Sequence, residues 1–529
     1  MDSATTSGSR ISAYLRSLLL RVADAIDKAD PRVLIFILLC GNFLGYQPTP
    51  NEENYLALAK QYVDPQWIPG SESLNEWPGT RVIFQWIVGF CLQFFTFEAV
   101  TFTGRLISFA LFSLALGKLF SWLKFRNLEI LFLLQSVYLS HQTFFADEVI
   151  FQGFEPKTLA YVMVFYSLHF LLSSRYAASV ACAIAATYLH VLVGGWFFIV
   201  LYLYLLFKVR PLQGIVKLGL MYLVAVIPFA VYLGWEILLQ TPAALGGVNL
   251  DWIYVYFRNP HHLAPFVSKE WFYYRYLPGI CWAFGWLTVC ILWFQAPSDP
   301  QVRALRALNT IIALLLLFAL VIASFDRTGV FLKYYPFRIA ALGALLVAVQ
   351  VIVYGLRYIV TTPSAQTVRA AMLALALPTF CYSAVATIHS MYAPHRNLQF
   401  DEMAAYLRDN SDEKAVVLLL GSDKLLDPDT PSFSRKARRE QFSVYKFVPA
   451  GGKKLYSWYV RVLEKEKAEK DIAYVDNLRK AYKIDYVVTR KRVERPGMNQ
   501  VFANKEFYVY GFPPEGNLAK RAAVSGTRR

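Results

Sequence analysis

The sequence predicts a polytopic α-helical membrane protein with a soluble α/β domain at its C-terminal end. Hydrophobic residues make up 56% of the 529 residues and charged residues only 17%, against about 25% in an ordinary soluble domain. Aromatic residues reach 16%, which is typical where amphipathic rings line membrane–water interfaces. The long apolar runs end before residue 395, whereas the chain from Arg396 onward holds 27 Lys and Arg and 18 Asp and Glu. Composition therefore separates a membrane part from a charged C-terminal part.

These shifts in composition divide the chain into four segments. We expect a cytoplasmic amphipathic N-terminal segment (1–31), a transmembrane domain (32–395), a soluble α/β domain (396–514) and a disordered tail (515–529). No small-residue cleavage site follows the first apolar run, so that run should stay as a signal-anchor helix. All six cysteines fall in apolar segments, which predicts neither a disulfide framework nor a CxxC metal site. The chain has no N-x-S/T acceptor, which favours a bacterial plasma membrane.

Positive charge between the apolar runs predicts the orientation of the membrane part. The stretch 81–95 could be a short span or an interfacial helix on the outer side. The second interpretation places Lys124 and Arg126 in the cytoplasm. Basic inner loops and outer loops then alternate along the rest of the chain. It gives about eleven spans, with the N-terminus inside and the C-terminal domain outside. The spans are 32–47, 98–121, 128–146, 157–174, 177–194, 195–208, 213–239, 273–294, 306–325, 337–358 and 368–390.

The C-terminal residues alternate between helical and strand patterns, which indicates a small α/β sheet. Helices are predicted at 399–409, 454–470 and 475–483, and strands at 415–420, 442–447, 485–489 and 507–512. No Gly-rich phosphate fingerprint follows the first strand, so 419–425 is interpreted as a loop. The basic cluster 434–440 is either a solvated loop or a segment lying against anionic headgroups.

Chemistry-bearing residues concentrate in four outer segments, 48–80, 147–156, 240–272 and 326–336. In the first, Glu52 and Glu53 follow the first span, where a carboxylate with a raised pKa can act as a general base. The alternative is that the pair stabilises the start of a helix with Asn51 as its N-cap.

The second outer segment carries Asp147, Glu148, Glu155 and Lys157, with Pro156 suited to a first helical turn. Three carboxylates at one membrane boundary are too many to be helix caps alone, and a metal, a substrate hydroxyl or Lys157 could balance them. The alternative is that they only cap helices. Near the outer end of a span, His190 is either a packed, hydrogen-bonded side chain or a ligand.

The remaining candidates are mostly basic. Arg258, His261 and His262 suit hydrogen bonds to a sugar or a phosphate. The alternative is a plain solvated loop. Two adjacent histidines are only a weak indication of a metal site. Arg327, Lys333 and Arg338 lie near outer ends of spans. Arg338 opens a helix, where a bound phosphate would offset the unfavourable charge. Snorkelling to lipid headgroups is the alternative.

The order of these segments resembles the GT-C superfamily of integral-membrane glycosyltransferases, and a bacterial group within it. The resemblance rests on a first span, an acidic outer loop with "NEENYL", an interfacial helix, a second acidic loop with "GFEPKTLAY", and an outer α/β domain. The segments "LHVLVGGW", "RNPHHLAP" and "SRKARREQFSVYKFVPAGGKKLYSWYVR" are also similar to that group, so the resemblance covers most of the chain.

The resemblance implies inverting transfer of a sugar from a polyprenyl-phosphate donor to a cell-envelope glycan or lipid acceptor on the outer face. Glu53 or Glu52 would be the base, although "NEEN" replaces the family's Asp-x-Asp or Asp-Glu motif. The donor phosphate would be held by Arg327, Lys333 and Arg338. The second-loop acids would bind substrate or a divalent cation, Mg or Mn. Membrane lipids are expected partners, and nucleic acid is not.

Two other functions fit the composition. A transporter or flippase of a lipid-linked glycan would show internal repeats and ionisable residues near the midplane, but the sequence shows no repeat and its polar residues lie at outer boundaries. A non-catalytic partner in envelope polysaccharide assembly would use its outer domain for binding, and its loop carboxylates would be dispensable.

Overall fold

The computed structural model describes residues 3–140, 142, 145–151, 153–208, 210–240, 244–292, 299–352, 365–392, 397–421, 429–449 and 451–512. The chain forms two compact units. The first contains residues 1–47, 101–236 and 254–394, and the second contains 48–100, 237–253 and 395–529. Two stretches that the sequence assigned to the membrane domain therefore join the C-terminal residues. The predicted tail 515–529 and most of the predicted loop 419–425 lie outside the described residues.

The first unit is a bundle of helices around one apolar core. Each predicted span overlaps at least one described helix, with boundaries that differ by a few residues. In chain order these are Pro31–Phe43, Phe97–Trp122, Asn127–Leu139, Pro156–Leu172, Tyr176–Leu189, Val191–Lys208, Leu212–Gln240, Leu277–Leu292, Pro300–Phe325, Ala340–Gln350 and Ala365–Tyr392. The helix Ser3–Asp27 precedes them. Short helical turns occupy Ile253–Arg258, Pro260–Leu263, Lys269–Trp271, Phe272–Tyr276 and Leu332–Tyr334.

Five of the described helices are long and apolar enough to cross a membrane, judged by length and composition. They lie at Phe97–Trp122, Val191–Lys208, Leu212–Trp235, Pro300–Phe325 and Ala365–Tyr392. On the third of these, Val224, Val231 and Trp235 are all at least 60% exposed, as expected for a lipid-facing surface. Four shorter apolar helices have 10–17 residues, below the roughly 20 residues of a full span. The number eleven therefore stays a prediction.

Several helix ends that the sequence places in the cytoplasm lie together. Arg369 forms ion pairs with Asp24 and Asp27 of the N-terminal helix, both at 2.8 Å. Asn127 donates hydrogen bonds to two backbone carbonyls of the same region, Ile26 O at 2.9 Å and Ala29 O at 2.6 Å. These contacts agree with the predicted alternation, while the membrane face on which they lie stays a prediction.

The second unit combines helices with a five-stranded sheet. The strand order is Glu440–Gln441, Val416–Leu419, Tyr486–Thr489, Tyr508–Gly511 and Asn499–Ala503, of which the first three are parallel and the last two antiparallel to their neighbours. Helices occupy Pro50–Val63, Val82–Cys91, Leu250–Trp252, Leu398–Asn410, Phe433–Ala437, Gly452–Lys470 and Val475–Tyr482. Short 3-10 turns lie at Gly79–Arg81, Thr430–Ser432 and Ile472–Tyr474, and a small hairpin pairs Ala244–Leu245 with Val248–Asn249.

The strand predicted at 442–447 is wrong, because only Glu440–Gln441 pairs with the sheet. Val444 and Phe447 instead pack on Ala57, Leu58 and other apolar side chains around the helix Pro50–Val63. Their burial comes from that helix, so their apolar pattern is not a strand pattern. The strand Asn499–Ala503 was not predicted, because its side chains are mostly exposed and give no alternation.

Candidate functional site

In the first unit, three of the segments predicted to be outer loops meet. Arg338 Nη1 contacts Glu148 Oε2 at 2.5 Å, and the Arg275 guanidinium forms an ion pair with Asp147. His262 Nδ1 lies 2.7 Å from Ala146 O. The Tyr256 hydroxyl donates to Asp326 O. The structure thus brings together residues that are up to 190 positions apart in the chain.

The Glu148–Arg338 pair is the most buried charged contact of this cluster. The side chains are 2% and 11% exposed. Tyr335 adopts a left-handed backbone conformation (φ 52°) and places its ring 4.4 Å from the Arg338 guanidinium carbon, while the Tyr161 hydroxyl donates to Arg338 O at 3.0 Å. Glu148 Oε1 has no hydrogen-bond partner among the described residues. The positive charge of Arg338 before its helix is therefore offset by Glu148, a partner that the sequence did not identify.

The turn that carries Asp147, next to Glu148 in the chain, contacts the region of the two histidines. Ala146 and Asp147 both have φ 57°, and this left-handed turn lets Ala146 N donate to Arg275 O at 2.8 Å. The rings of His261 and His262 are 4.1 Å apart between centroids. The turn therefore fixes the backbone against the 261–275 region.

The remaining candidates of this unit occupy helix boundaries. Glu155 is the residue before the helix Pro156–Leu172, with Pro156 in the first turn as predicted, and its side chain lies 3.5 Å from Lys157 Nζ. Both residues are buried. His190 ends one helix, and its Nδ1 accepts a hydrogen bond from Val193 N at 3.3 Å at the start of the next, which favours a structural role for it. Arg258 is 5% exposed and lies 3.4 Å from Asn259 Oδ1.

The loop that carries Arg327 and Lys333 is organised by Asp326. Its carboxylate accepts backbone hydrogen bonds from Gly329 at 2.7 Å, Phe331 at 2.9 Å and Leu332 at 3.0 Å, with a longer one from Thr328 at 3.2 Å. Burial alone would raise the pKa of Asp326, but these donors outweigh it and hold the pKa below its usual value. Arg327 is exposed and Lys333 half-buried, so the loop presents cations on a fixed backbone.

In the second unit, Glu52 and Glu53 have different roles. The helix begins at Pro50 with Thr49 as its N-cap, so the prediction of Asn51 at that position is wrong. Thr49 Oγ1 accepts from Glu52 N at 3.3 Å, and Glu52 Oε2 accepts from Thr49 N at 2.7 Å. This reciprocal arrangement is a capping box. Glu52 is thereby engaged in starting the helix.

Glu53 points to Arg435 instead. Its Oε1 accepts from Arg435 Nη2 at 2.7 Å and its Oε2 from Nε at 2.9 Å, while Arg435 Nη1 donates to Glu98 at 2.7 Å. The side chains of Glu53, Arg435 and Glu98 are 3%, 14% and 18% exposed. Burial raises the pKa of Glu53, and Arg435 opposes that rise without cancelling it. One guanidinium thus serves two carboxylates.

The position of Arg435 corrects the interpretation of the basic cluster 434–440. Arg435 and Arg439 are neither solvated nor free for headgroups, since Arg439 is 5% exposed and donates to three backbone carbonyls, Arg408 O, Ser411 O and Arg438 O. Sequence reasoning also did not single out Arg275, Asp326 and Glu98. For Arg435 a signal existed, because Phe433 and Ala437 are apolar, four residues apart, and indicate a helix with a buried face.

The described residues contain no group of three or more His, Cys, Asp or Glu side chains that could hold a metal ion. The possible requirement for Mg or Mn stays a prediction.

No family model matches the chain, and no curated protein matches it. Among solved structures, it is similar to the crystal structure of ArnT from Cupriavidus metallidurans in the apo state. The two are 14% identical, and the similarity covers 97% of this chain and 100% of that chain with a TM-score of 0.43.

Proposed function

We propose that this protein is a GT-C-type membrane glycosyltransferase that moves a sugar from a polyprenyl-phosphate donor to a glycan or lipid acceptor at the outer face of a bacterial plasma membrane. The observation that carries the proposal is the carboxylate Glu53, which is buried, held by one arginine, and accompanied by a second carboxylate. Such a group suits the one proton transfer that the reaction needs, removal of the acceptor's hydroxyl proton.

Glu53 is the better candidate for the base than Glu52. The oxygen of Glu52 that accepts from Thr49 N is committed to the helix start. A carboxylate offers about four lone-pair sites, and among the described residues Glu53 Oε2 accepts from Arg435 Nε alone. Arg435 also counteracts the effect of burial on the pKa, which keeps a larger fraction of Glu53 ionised at neutral pH. The proposed base is therefore positioned and retains capacity for a substrate hydroxyl.

The leaving group of the proposed reaction is a lipid phosphate, which needs charge stabilisation rather than protonation. We assign that role to Arg327, Lys333 and Arg338. The Asp326 hydrogen bonds fix the loop that carries the first two, and a guanidinium matches phosphate bidentately. Arg338 would exchange part of its contact with Glu148 for the phosphate. The remaining substrate-binding candidates are Asp147, Glu148, Glu155, Lys157, His190, Arg258, His261 and His262.

The test is a transfer assay in membranes supplied with polyprenyl-phosphate sugars. Glu53→Gln keeps the size of the side chain and should lower the transfer rate by about 10²–10⁴-fold, the usual contribution of a general base. Glu52→Gln retains a capping acceptor and should transfer at a rate close to that of the wild type. Glu155→Gln tests the second-loop acids in the same assay.

The matched control is Glu129→Gln, because Glu129 forms a capping-box contact at the start of the helix Asn127–Leu139, as Glu52 does at its own helix. Normal transfer by Glu53→Gln would contradict the assignment of the base. Movement of labelled lipid-linked glycan across vesicles without transfer would replace the proposal with a flippase.

A further inference from the structure

Glu98 is a partly buried acid to which the proposed function gives no role of its own. It lies in the first turn of the helix Phe97–Trp122 and is 18% exposed. The start of that helix does not depend on it, because Thr96 Oγ1 accepts from Ala99 N at 3.2 Å, as an N-cap does. Glu98 Oε1 instead accepts from Arg435 Nη1 at 2.7 Å. Its contact is therefore with the arginine that also holds the proposed base.

Arg435 uses different nitrogens of its guanidinium for the two carboxylates. Nε and Nη2 donate to Glu53 at 2.9 and 2.7 Å, and Nη1 donates to Glu98. The guanidinium carbon also lies 5.7 Å from the centre of the Phe97 ring. The short helix that carries Arg435, Phe433–Ala437, is anchored by its two end residues, which are fully buried. A planar guanidinium on a fixed helix can therefore bridge both acids at once.

The charged side chains that act on Glu53 do not sum to zero. Lys436 acts on Glu53 from the same short helix as Arg435, and its Nζ pairs with Asp401 at 2.6 Å. Glu98 acts on Glu53 from the start of its own helix. These four groups and Glu53 itself comprise two cations and three carboxylates. One negative charge is therefore in excess when all five are ionised.

The other elements packed on the helix of the proposed base direct their charges elsewhere. The helix Val82–Cys91 has no charged side chain. Arg81, which precedes it, lies with its guanidinium carbon 5.0 Å from the centre of the Tyr55 ring. Asp429, before a 3-10 turn, accepts from Asn397 Nδ2 at 3.0 Å. The excess negative charge thus comes from the group around Arg435.

The second carboxylate changes the effect of Arg435 on Glu53. An arginine that faces one buried acid forms a neutral pair, which gains little from a proton. With Glu98 present, a proton on Glu53 relieves the repulsion between the two acids. Burial raises the pKa of Glu53, and Glu98 adds to that rise while Arg435 opposes it. Glu53 consequently binds a proton more readily than it would in a simple pair with Arg435.

We propose that Glu98 is a positioning residue of the proposed active site, which holds Arg435 between two acids and thereby keeps Glu53 a strong proton acceptor. Its role in transfer rests on the proposed function. In that reaction the acceptor oxygen bonds to the sugar carbon, the bond to the lipid phosphate breaks with its electron pair on the phosphate, and the hydroxyl proton passes to Glu53. Glu98 acts on this step through Arg435.

The test is Glu98→Gln, which removes the charge and keeps an oxygen that can accept from Arg435. The acidic limb of the transfer rate should move down by about one pH unit. The rate above the limb should fall by about three- to tenfold, because a weaker base accelerates the reaction less. Glu98→Asp keeps the charge, so the limb should stay at its wild-type position and most of the rate should return.

A second measurement needs no transfer. In the full chain in lipid nanodiscs, infrared difference spectra at varied pH follow the band of the protonated carboxyl that Glu53→Gln removes. This titration of Glu53 should move down with Glu98→Gln by the same amount as the limb. If Glu98→Gln fails to fold, Glu98→Ser replaces it, since it removes the same charge and its small polar side chain suits a first helical turn.

Glu440→Gln is the matched control, because Glu440 is a buried carboxylate of the same unit that accepts from Ser71 and Ser73. It should leave both the limb and the titration of Glu53 in place. An acid with only a structural role at position 98 would lower the amount of folded protein, or the rate at every pH, without moving either of them.

The proposal is overturned if the titration of Glu53 does not move down in Glu98→Gln, or in its place Glu98→Ser, or if Glu440→Gln moves it equally. Normal transfer by Glu53→Gln would contradict the proposed base instead. In that case the infrared titration would still decide whether Glu98 raises the proton affinity of Glu53, so the two failures are distinguishable.

Discussion

Each of the two units buries a glutamate beside an arginine, but the charges balance differently. In the first unit the ion pair of Arg338 that the described residues show is with Glu148. In the second unit Arg435 meets two carboxylates, Glu53 and Glu98. The first pair is neutral as a whole, whereas the second group carries a surplus negative charge when both carboxylates are ionised. Both arrangements are at most 18% exposed, so solvent screens neither of them strongly.

This difference indicates different chemical capacities. A neutral pair holds two elements in place and gains little from binding a proton. A group with a surplus carboxylate can accept a proton and become neutral, because one of its two acids can then be uncharged. The second-unit group is therefore the better proton acceptor. The first-unit pair is the better anchor for an anion that competes with Glu148 for Arg338.

The largest predicted effect is on stability. Removing one partner of a buried ion pair leaves an uncompensated charge and costs about 3–5 kcal/mol. We expect Arg435→Gln and Arg338→Gln each to lower the free energy of unfolding by that amount, with the larger loss for Arg435→Gln, since it strands two carboxylates. The free energy of unfolding is measured in mixed micelles, with circular dichroism as the signal.

Arg408→Gln is the control for both substitutions. Arg408 and its partner Asp409 are 42% and 60% exposed, and such surface pairs contribute about 0–1 kcal/mol. Combining Arg338→Gln with Glu148→Gln should recover most of the loss, because no buried charge is then stranded. Equal losses for Arg408→Gln and Arg338→Gln would show that the burial of the first-unit pair is unimportant.

The next largest effect concerns the loop of the first unit that Asp326 organises. Asp326→Asn removes the charge that four backbone N–H groups share, and we expect it to cost about 2 kcal/mol of local stability. Because the folded-state pKa of Asp326 is lowered, its contribution is present above the usual carboxyl pKa near 4 and is lost as pH falls through the lowered value. Hydrogen exchange of residues 328–332 at neutral pH should speed up by about thirtyfold. Unchanged exchange would contradict this.

A smaller effect, on the pH dependence of the transfer rate, distinguishes the group around Arg435 from the Glu148–Arg338 pair. Arg435 opposes the rise that burial causes in the pKa of Glu53, so Arg435→Gln should raise that pKa further. A base with a higher pKa is protonated at higher pH, and the acidic limb of the transfer rate should therefore move up by about one pH unit or more. Arg338→Gln should lower the rate without moving that limb.

The same shift in the pKa of Glu53 determines how the stability lost in Arg435→Gln depends on pH. A carboxyl whose folded-state pKa lies above its unfolded value favours folding at low pH, and this contribution is lost as pH rises through the folded-state value. The stability lost in Arg435→Gln should therefore be largest at neutral and alkaline pH and smaller in acid. A loss that grew in acid would mean that Glu53 stays ionised without Arg435.

The sequence predicted the helices well, because apolar periodicity and length decide them locally. It also placed reactive residues in segments that meet, such as Asp147, His262 and Arg338. It did not predict the partners, since Glu148 and Arg338 are 190 positions apart and no local pattern connects them. The strand at 442–447 was predicted wrongly for the same reason. Val444 and Phe447 are buried by a helix that begins at Pro50, which the local pattern does not record.

The smallest predicted effect tests the division of labour between Glu52 and Glu53. Thr49→Ala removes the N-cap hydroxyl of the helix that carries both, and we expect it to cost about 1 kcal/mol. Glu52 can still accept from the backbone N–H of residue 49, so the helix should start where it does now and Glu53 should keep its contact with Arg435. Transfer should consequently stay close to the wild-type rate. Asp299→Ala, which removes the N-cap of Pro300–Phe325, should cost a similar amount and serves as the control. If Thr49→Ala abolished transfer while Asp299→Ala did not, the start of this helix, rather than Glu53 alone, would position the reacting carboxylate.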